Sequence, residues 1–172
     1  MDDLSIHEVA RQPLSPRAWT TWLLSIFGLG ISIYLTLAHY SSSVSLSCPL
    51  STKGGFVNCA KVTTSPESIV FGIPVAVLGL AYYLGAVVIM SPWAWRSSRE
   101  FVAPLRLAST IVSVGFISYL IYAELYVIHS ICIWCTTVHV LTFIIFVLVV
   151  TGWDEAIAAR WPGGDEETDD AS

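Results

Sequence analysis

Charge is what this chain has least of. Charged residues make up 12% of its 172 positions, against roughly 25% in an ordinary soluble domain. Positions 69–95 hold no Asp, Glu, Lys or Arg, nor do positions 18–52 and 131–152, where His39 and His139 are the titratable exceptions. Hydrophobic residues reach 55%, which excludes a disordered chain and an ordinary soluble enzyme. A basic excess is missing as well: eight Lys and Arg face thirteen Asp and Glu, for a net charge of −5. Five of those acids lie in the tail Asp165-Glu166-Glu167-Thr168-Asp169-Asp170, and the remainder balances. No basic footprint for nucleic acid is left. Internal repeats are also absent.

The long uncharged runs set the class. A helix needs about 20 apolar residues to cross the hydrocarbon core of a bilayer. Four stretches satisfy this, at about 19–39, 69–91, 105–128 and 131–152. The third carries Arg106 at its start and Glu124 near its end. An open strand edge in lipid leaves backbone groups unsatisfied, so helices are the economical solution. The first stretch is too long for the apolar core of a signal peptide, about 7–15 residues, and no small-x-small cleavage site follows it. The fold expected is all-α: an integral membrane bundle of four transmembrane helices. It is flanked by an N-terminal tail at 1–17 and a disordered acidic tail at 154–172.

Positive charge orients the bundle. Arg11, Arg17, Arg96, Arg99, Arg106 and Arg160 fall on one side of an even-numbered set of spans, Lys53 and Lys61 on the other. Lys and Arg concentrate on the cytoplasmic side, so both termini are expected inside the cell membrane. Tryptophans 19, 22, 93, 95, 153 and 161 gather at the inner span ends, as an interfacial belt would. The outer face then carries a long loop at 40–68 and a tight turn near His129-Ser130. In the loop, Ser65-Pro66-Glu67 reads as a short helix start with proline at its first position.

Cysteine is sparse and one-sided. Cys48 and Cys59 lie in the long outer loop; Cys132 and Cys135 open the fourth span. Neither tail nor the inner loop has any. Disulfides persist on the outer, oxidising side of a cell membrane, so cysteine placement and charge agree independently on orientation. Cys132-Ile133-Trp134-Cys135 is a C-x-x-C whose two sulfurs share one face of the first helical turn. The helix N-terminus favours a thiolate there and apolar surroundings favour the thiol. Inert structural disulfides and a four-cysteine zinc site are the alternatives. Zinc usually wants closer spacing than the ten residues between Cys48 and Cys59, so no metal is expected. A second cysteine pair on the same side favours a relay, since thiol–disulfide exchange moves two electrons per step without a metal.

His139 lies four residues beyond Cys135 on the same helical face. An intramembrane ionisable residue is a functional candidate, and an imidazole can donate a hydrogen bond to a quinone carbonyl. A histidine satisfied by a neighbouring helix is the competing reading. Glu124 can snorkel, pair with a histidine or take part in chemistry. Gly72, Pro74 and Gly79 can bend the second span to make room for a flat ring, or mark close helix packing.

Taken together, four spans, a loop cysteine pair and Cys132-Ile133-Trp134-Cys135 at the head of span four resemble the vitamin K epoxide reductase family. Cys59-Ala60-Lys61-Val62-Thr63-Thr64-Ser65 resembles the family's second loop cysteine followed six residues later by an active-site serine. Phe71-Gly72-Ile73-Pro74 is similar to the start of the second span in bacterial members, and Cys135-Thr136-Thr137 to the stretch after the C-x-x-C. The resemblance covers about 19–150.

It implies a thiol:quinone oxidoreductase that generates disulfides. Cys48 would receive electrons from a partner dithiol through a mixed disulfide, Cys59 would attack Cys132, and Cys135 would pass electrons to the quinone. Ser65, Ser68, Phe71 and His139 would contact the quinone, beneath an outer loop that caps its pocket. His139 stands where vertebrate members have tyrosine, and Ser68 where they have asparagine. The electron acceptor implied is a membrane quinone of menaquinone, ubiquinone or vitamin K type. The partner implied is a separate extracytoplasmic DsbA-like protein of thioredoxin fold, because the chain ends about twenty residues after its last span. A DsbB-like oxidase would carry its C-x-x-C in the first outer loop. A non-enzymatic scaffold or small transporter, with disulfides stapling the loop, is the other alternative; a transporter should show polar or broken helices at mid-membrane.

Overall fold

A computed structural model describes residues 16–41, 44, 46–49, 55–95 and 101–153. The expectations for most of the N-terminal tail, the inner-loop arginines Arg96 and Arg99, Lys53 and the acidic C-terminal tail concern residues outside that set. Helix α1 is Pro16–Tyr40 and α2 is the short Cys59–Thr63. A 3₁₀ turn at Pro66–Ser68 leads into a two-stranded hairpin, β1 (Ile69–Val70) and β2 (Ile73–Pro74), in which Ile69 pairs with Pro74 and Val70 with Ile73. Helix α3 is Val75–Ile89, α4 is Pro92–Trp95, α5 is Val102–Tyr122 and α6 is Ile133–Thr151. Helix α5 continues through a π-helical turn, Ala123–Ile128. The protein is therefore a helical membrane bundle. Three of its helices are long and apolar enough to cross a bilayer, Pro16–Tyr40, Val102–Ile128 and Ile133–Thr151; α3 is apolar but shorter.

The bundle is built inside out relative to a soluble protein. In α1 the buried stripe is Ala18, Thr21, Ser25, Gly28, Ile31, Ser32 and Leu35, while Leu23 and Phe27 face outward. Lipid is as apolar as leucine, so helices gain by approaching closely over small side chains. The buried hydroxyls return to their own helix: Ser25 donates to the Thr21 carbonyl at 2.8 Å and Ser113 to that of Thr110 at 2.8 Å. Helix α1 packs on α3 and α6, and α6 on α5, whereas α3 and α5 barely touch. The gap between those two is where the cavity lies.

The end of the bundle away from the cysteines is closed by a cation. Arg106 is buried; its Nε donates to the Ile89 carbonyl at the end of α3 at 3.2 Å, and its guanidinium lies 3.9 Å over the Trp95 ring. A helix C-terminus leaves carbonyls without partners, and a guanidinium is suited to cap them.

The second apolar stretch, read as one span over 69–91, is helical only from Val75. Phe71 and Gly72 both have positive φ, 53° and 79°, which turns the chain through the hairpin before α3 begins. Pro74, with extended geometry and no N–H, then sits at the N-cap. Gly72 and Pro74 thus make the turn ahead of the helix rather than bend it. Gly79 faces Ser32 of α1 and lines the cavity.

Candidate functional site

The loop between α1 and the hairpin is tied down on either side of its cysteine pair. On one side, Asn58 accepts from the Lys61 N–H at 3.0 Å and so caps α2, with Cys59 as the first helical residue. The backbone around it forms a parallel bridge to the residue before the C-x-x-C: Ile131 N–H donates to the Phe56 carbonyl at 2.9 Å and Asn58 N–H to the Ile131 carbonyl at 3.0 Å. Lys61 Nζ adds a bond of 2.6 Å to the Ile128 carbonyl. These bonds place the start of α2 beside the start of α6.

On the other side, Trp134, an interior residue of the C-x-x-C, donates from Nε1 to the Ser47 carbonyl at 2.6 Å. Tyr34 of α1 accepts from the Ser47 N–H at 2.9 Å, and the Tyr34 and Trp134 rings meet edge-on at 5.2 Å. The residue before Cys48 is thereby clamped between α1 and the C-x-x-C. Trp134→Phe keeps a ring against Tyr34 but loses the bond to Ser47. Loss of about 1 kcal/mol of holding energy should make reduction of the loop disulfide by a small dithiol roughly fivefold faster, measured by thiol release. An unchanged rate would mean that Trp134 does not restrain Cys48.

All four cysteines meet at this junction. Cys48 and Cys59 are joined in a disulfide, with Cα atoms 6.0 Å apart. Cys132 and Cys135 are free thiols. Cys59 and Cys132 lie in one buried cluster with Val62 and Ile128, and Cys48, Cys135, Trp134 and Leu46 pack against it. Cys132 is the N-cap of α6, its Sγ accepting from the Cys135 N–H at 3.4 Å. Cys48 and Cys135 are half-buried, whereas Cys59 and Cys132 are fully buried, 1% and 0% exposed.

Beneath the junction a cavity of about 570 Å³ opens between α3 and α5. Cys135 and His139 of α6 stand on its wall, and Ser65 and Ser68 from the loop that carries Cys48 and Cys59 also line it. His139 is buried. The two serine hydroxyls donate to nearby carbonyls, Ser65 to Val62 at 3.0 Å and Ser68 to Ser65 at 2.7 Å, and keep lone pairs free as acceptors. Phe71 departs from the expectation that it contacts a quinone. At the tip of the β1–β2 hairpin it is 99% exposed and does not line the cavity, because its positive φ turns it away from the bundle.

Residues that sequence reasoning passed over also line this cavity. Tyr82 has a buried hydroxyl that makes no hydrogen bond of good geometry among the described residues, although the Ser113 hydroxyl lies close to it. Its neighbour Tyr83 is fully buried and is held by the Thr142 hydroxyl at 2.9 Å and the Val138 carbonyl at 3.2 Å. Two tyrosines in succession within an apolar stretch were the available signal, since a buried phenol needs a partner.

Residues 19–150 match the model of the vitamin K epoxide reductase family. The chain belongs to the vitamin K epoxide reductase family. That match takes in all four cysteines, His139 and the other residues that line the cavity. No curated protein matches the chain. Membership in the vitamin K epoxide reductase family makes this a membrane thiol–disulfide oxidoreductase. The cysteine junction is where such chemistry has the sulfurs it needs.

Proposed function

We propose that the protein oxidises a dithiol partner outside the membrane and delivers the electrons to a quinone held in the cavity, so generating disulfides. The vitamin K epoxide reductase family is generally quinone-linked and generally works with thioredoxin-fold partners. The observation that carries the reading is the ordered placement of the sulfurs, from half-buried Cys48 through buried Cys59 and Cys132 to Cys135 on the cavity wall. An inert staple has no need of that order, nor of two free thiols beside a disulfide.

In this reading a thiolate of an extracytoplasmic DsbA-like protein attacks Cys48, and the partner's second thiol releases the mixed disulfide. The partner is oxidised and Cys48 and Cys59 become thiols. Cys59 then attacks Cys132 of an oxidised C-x-x-C. Cys48 closes on Cys59, leaving Cys132 and Cys135 reduced, which is the redox state described above. Oxidation of that dithiol gives two electrons and two protons, which convert quinone to quinol.

The cavity suits such a substrate. Its apolar walls accept a ring, its gap between α3 and α5 accepts an isoprenoid tail, and the Tyr82 hydroxyl and the His139 imidazole offer hydrogen bonds to carbonyl oxygens. Ser65 and Ser68 border the ring position from above. The six-to-two distribution of Lys and Arg supports both termini in the cytoplasm and the cysteine junction on the outer face.

The test is anaerobic mixing of the purified protein with a reduced thioredoxin-fold protein and a short-tailed quinone, followed by quinol absorbance. Turnover that requires all three components supports the proposal; oxidation of the partner without quinol formation contradicts it. His139→Ala should raise the quinone KM about tenfold, the worth of a hydrogen bond of about 1.4 kcal/mol, with the bundle still folded. An unchanged KM and rate would remove His139 from the binding site.

A further inference from the structure

Two protons must leave when the C-x-x-C is oxidised, and the structure gives a direct route for only one. Cys135 lines the cavity, so its proton has direct access to the space proposed for the quinone. Cys132 is 0% exposed, does not line the cavity, and is packed among Cys59, Val62 and Ile128. The apolar neighbours cannot take its proton; the Cys135 thiol, its hydrogen-bond partner, has a proton of its own to lose, which leaves Glu124 as the nearby base.

We propose that Glu124 is the carrier that moves the Cys132 proton into the cavity. This rests on the quinone-reducing function argued above. Glu124 is 6% exposed, yet it lines the cavity. Its carboxyl group lies within electrostatic reach of both Cys132 and Cys135, and the Cys132 main-chain N–H faces it. Among the described residues no salt bridge engages it. A buried acid without a cation is costly, so its retention calls for a reason other than stability.

The local backbone is arranged for this placement. Glu124 is the second residue of the π-helical turn Ala123–Ile128, and such turns concentrate at functional sites. The turn ends at His129 in the left-handed conformation, and its chain reversal sends the His129 and Ser130 N–H groups back to the Glu124 carbonyl, the latter at 3.0 Å. The acid is thus held by its own backbone, on the last turn before the chain enters the C-x-x-C. The titratable groups that share its cavity are Cys135 and His139 of α6, Tyr82 and Tyr83 of α3, Glu67 of the loop and His39 of α1.

The balance is as follows. Two S–H bonds break and one S–S bond forms between Cys132 and Cys135. Two electrons pass to the quinone. The Cys135 proton crosses the cavity directly; the Cys132 proton goes to the Glu124 carboxylate and from its carboxyl group to the second quinone oxygen. Glu124 returns to its starting protonation state.

The experiment is a single-turnover reaction of fully reduced, full-length protein with a short-tailed quinone, followed by quinol absorbance across a pH series. Exchange between the loop disulfide and a reduced thioredoxin-fold protein is measured alongside, because Glu124 takes no part in it. Glu124→Gln is expected to slow quinol formation about 100-fold, the usual scale for loss of a positioned acid–base group, and to flatten its pH profile, while loop exchange keeps the wild-type rate. Glu124→Asp should recover part of the rate. A Gln variant with wild-type rate and pH profile overturns the relay. Equal slowing of quinol formation and loop exchange also overturns it, as the sign of a structural role. If the wild-type protein forms no quinol, the proposed function itself fails; a competent wild type with an indifferent Gln variant defeats the relay alone.

Discussion

Replacing Cys135 with serine is expected to stop quinol formation, with a loss of about three orders of magnitude or more, as for removal of a catalytic nucleophile. The sulfur stands on the cavity wall, one helical turn from the N-cap sulfur of Cys132. Serine preserves the shape and the α6 packing but cannot enter a disulfide, so no electron pair can leave for the quinone. The upstream half of the path remains. With its own partner gone, the Cys132 thiol attacks the Cys48–Cys59 disulfide at Cys59, its neighbour in the buried cluster. A Cys59–Cys132 linkage should therefore accumulate and be found by peptide mapping under non-reducing conditions. Cys132→Ser should abolish turnover equally and form no such linkage. Normal turnover in either variant would break the relay at its centre.

The second large effect is on stability. Gly28→Val should loosen the packing of α1 on α3. A Cβ at position 28 would overlap the Tyr83 ring, which lies directly against the glycine. Tyr83 cannot step aside, because its hydroxyl is held by Thr142 and Val138 on α6 and its side chain is fully buried. The overlap therefore drives α1 away from α3, and Tyr83 leaves the wall of the cavity. Overpacking of a core typically costs about 1–3 kcal/mol, and displacement of backbone places this site at the upper end. The expected readings are a lower melting temperature in detergent and loss of quinone protection against denaturation. Gly30, whose added Cβ would meet nothing, supplies the control: Gly30→Ala should leave both unchanged.

The features that follow from composition were legible in the chain. Long apolar runs marked the helical bundle, because a bilayer demands both length and apolarity, although only three of the four helices are long enough to cross. Cys132-Ile133-Trp134-Cys135 announced its place at the head of a helix, and His139 one turn below Cys135 does reach the cavity. The misplaced features share one physical reason. In a membrane protein apolarity does not distinguish a helix from a turn at its end. Ile69 to Pro74 is as uncharged as the helix that follows, yet two successive positive φ angles fold it into a hairpin and carry Phe71 away from the site. Gly72 was the visible hint, as the residue that tolerates such a φ.

The polar lining of the cavity was obscured in the same way. Tyr82 and Tyr83 read as part of an apolar span, and only the separation of α3 from α5 places them on the wall of a substrate-sized space. The π-helical turn at Ala123–Ile128 has no local sequence signature. It depends on the chain reversing at His129 so that Ile131 can bridge to Val57. Glu124 thus showed in the sequence as an acid near a span end. Its position between the buried thiol and the cavity is a property of the folded chain.

The central claim is that the outer cysteines and the membrane quinone are joined by one electron path. Counting quinol tests it most directly. Fully reduced protein, freed of reductant and mixed anaerobically with excess quinone, should yield two quinols per chain, since its four cysteines hold two pairs of electrons. A variant lacking Cys48 and Cys59 should yield one, and Cys135→Ser none. A wild-type yield of one quinol, with Cys48 and Cys59 still reduced at the end, would contradict the account.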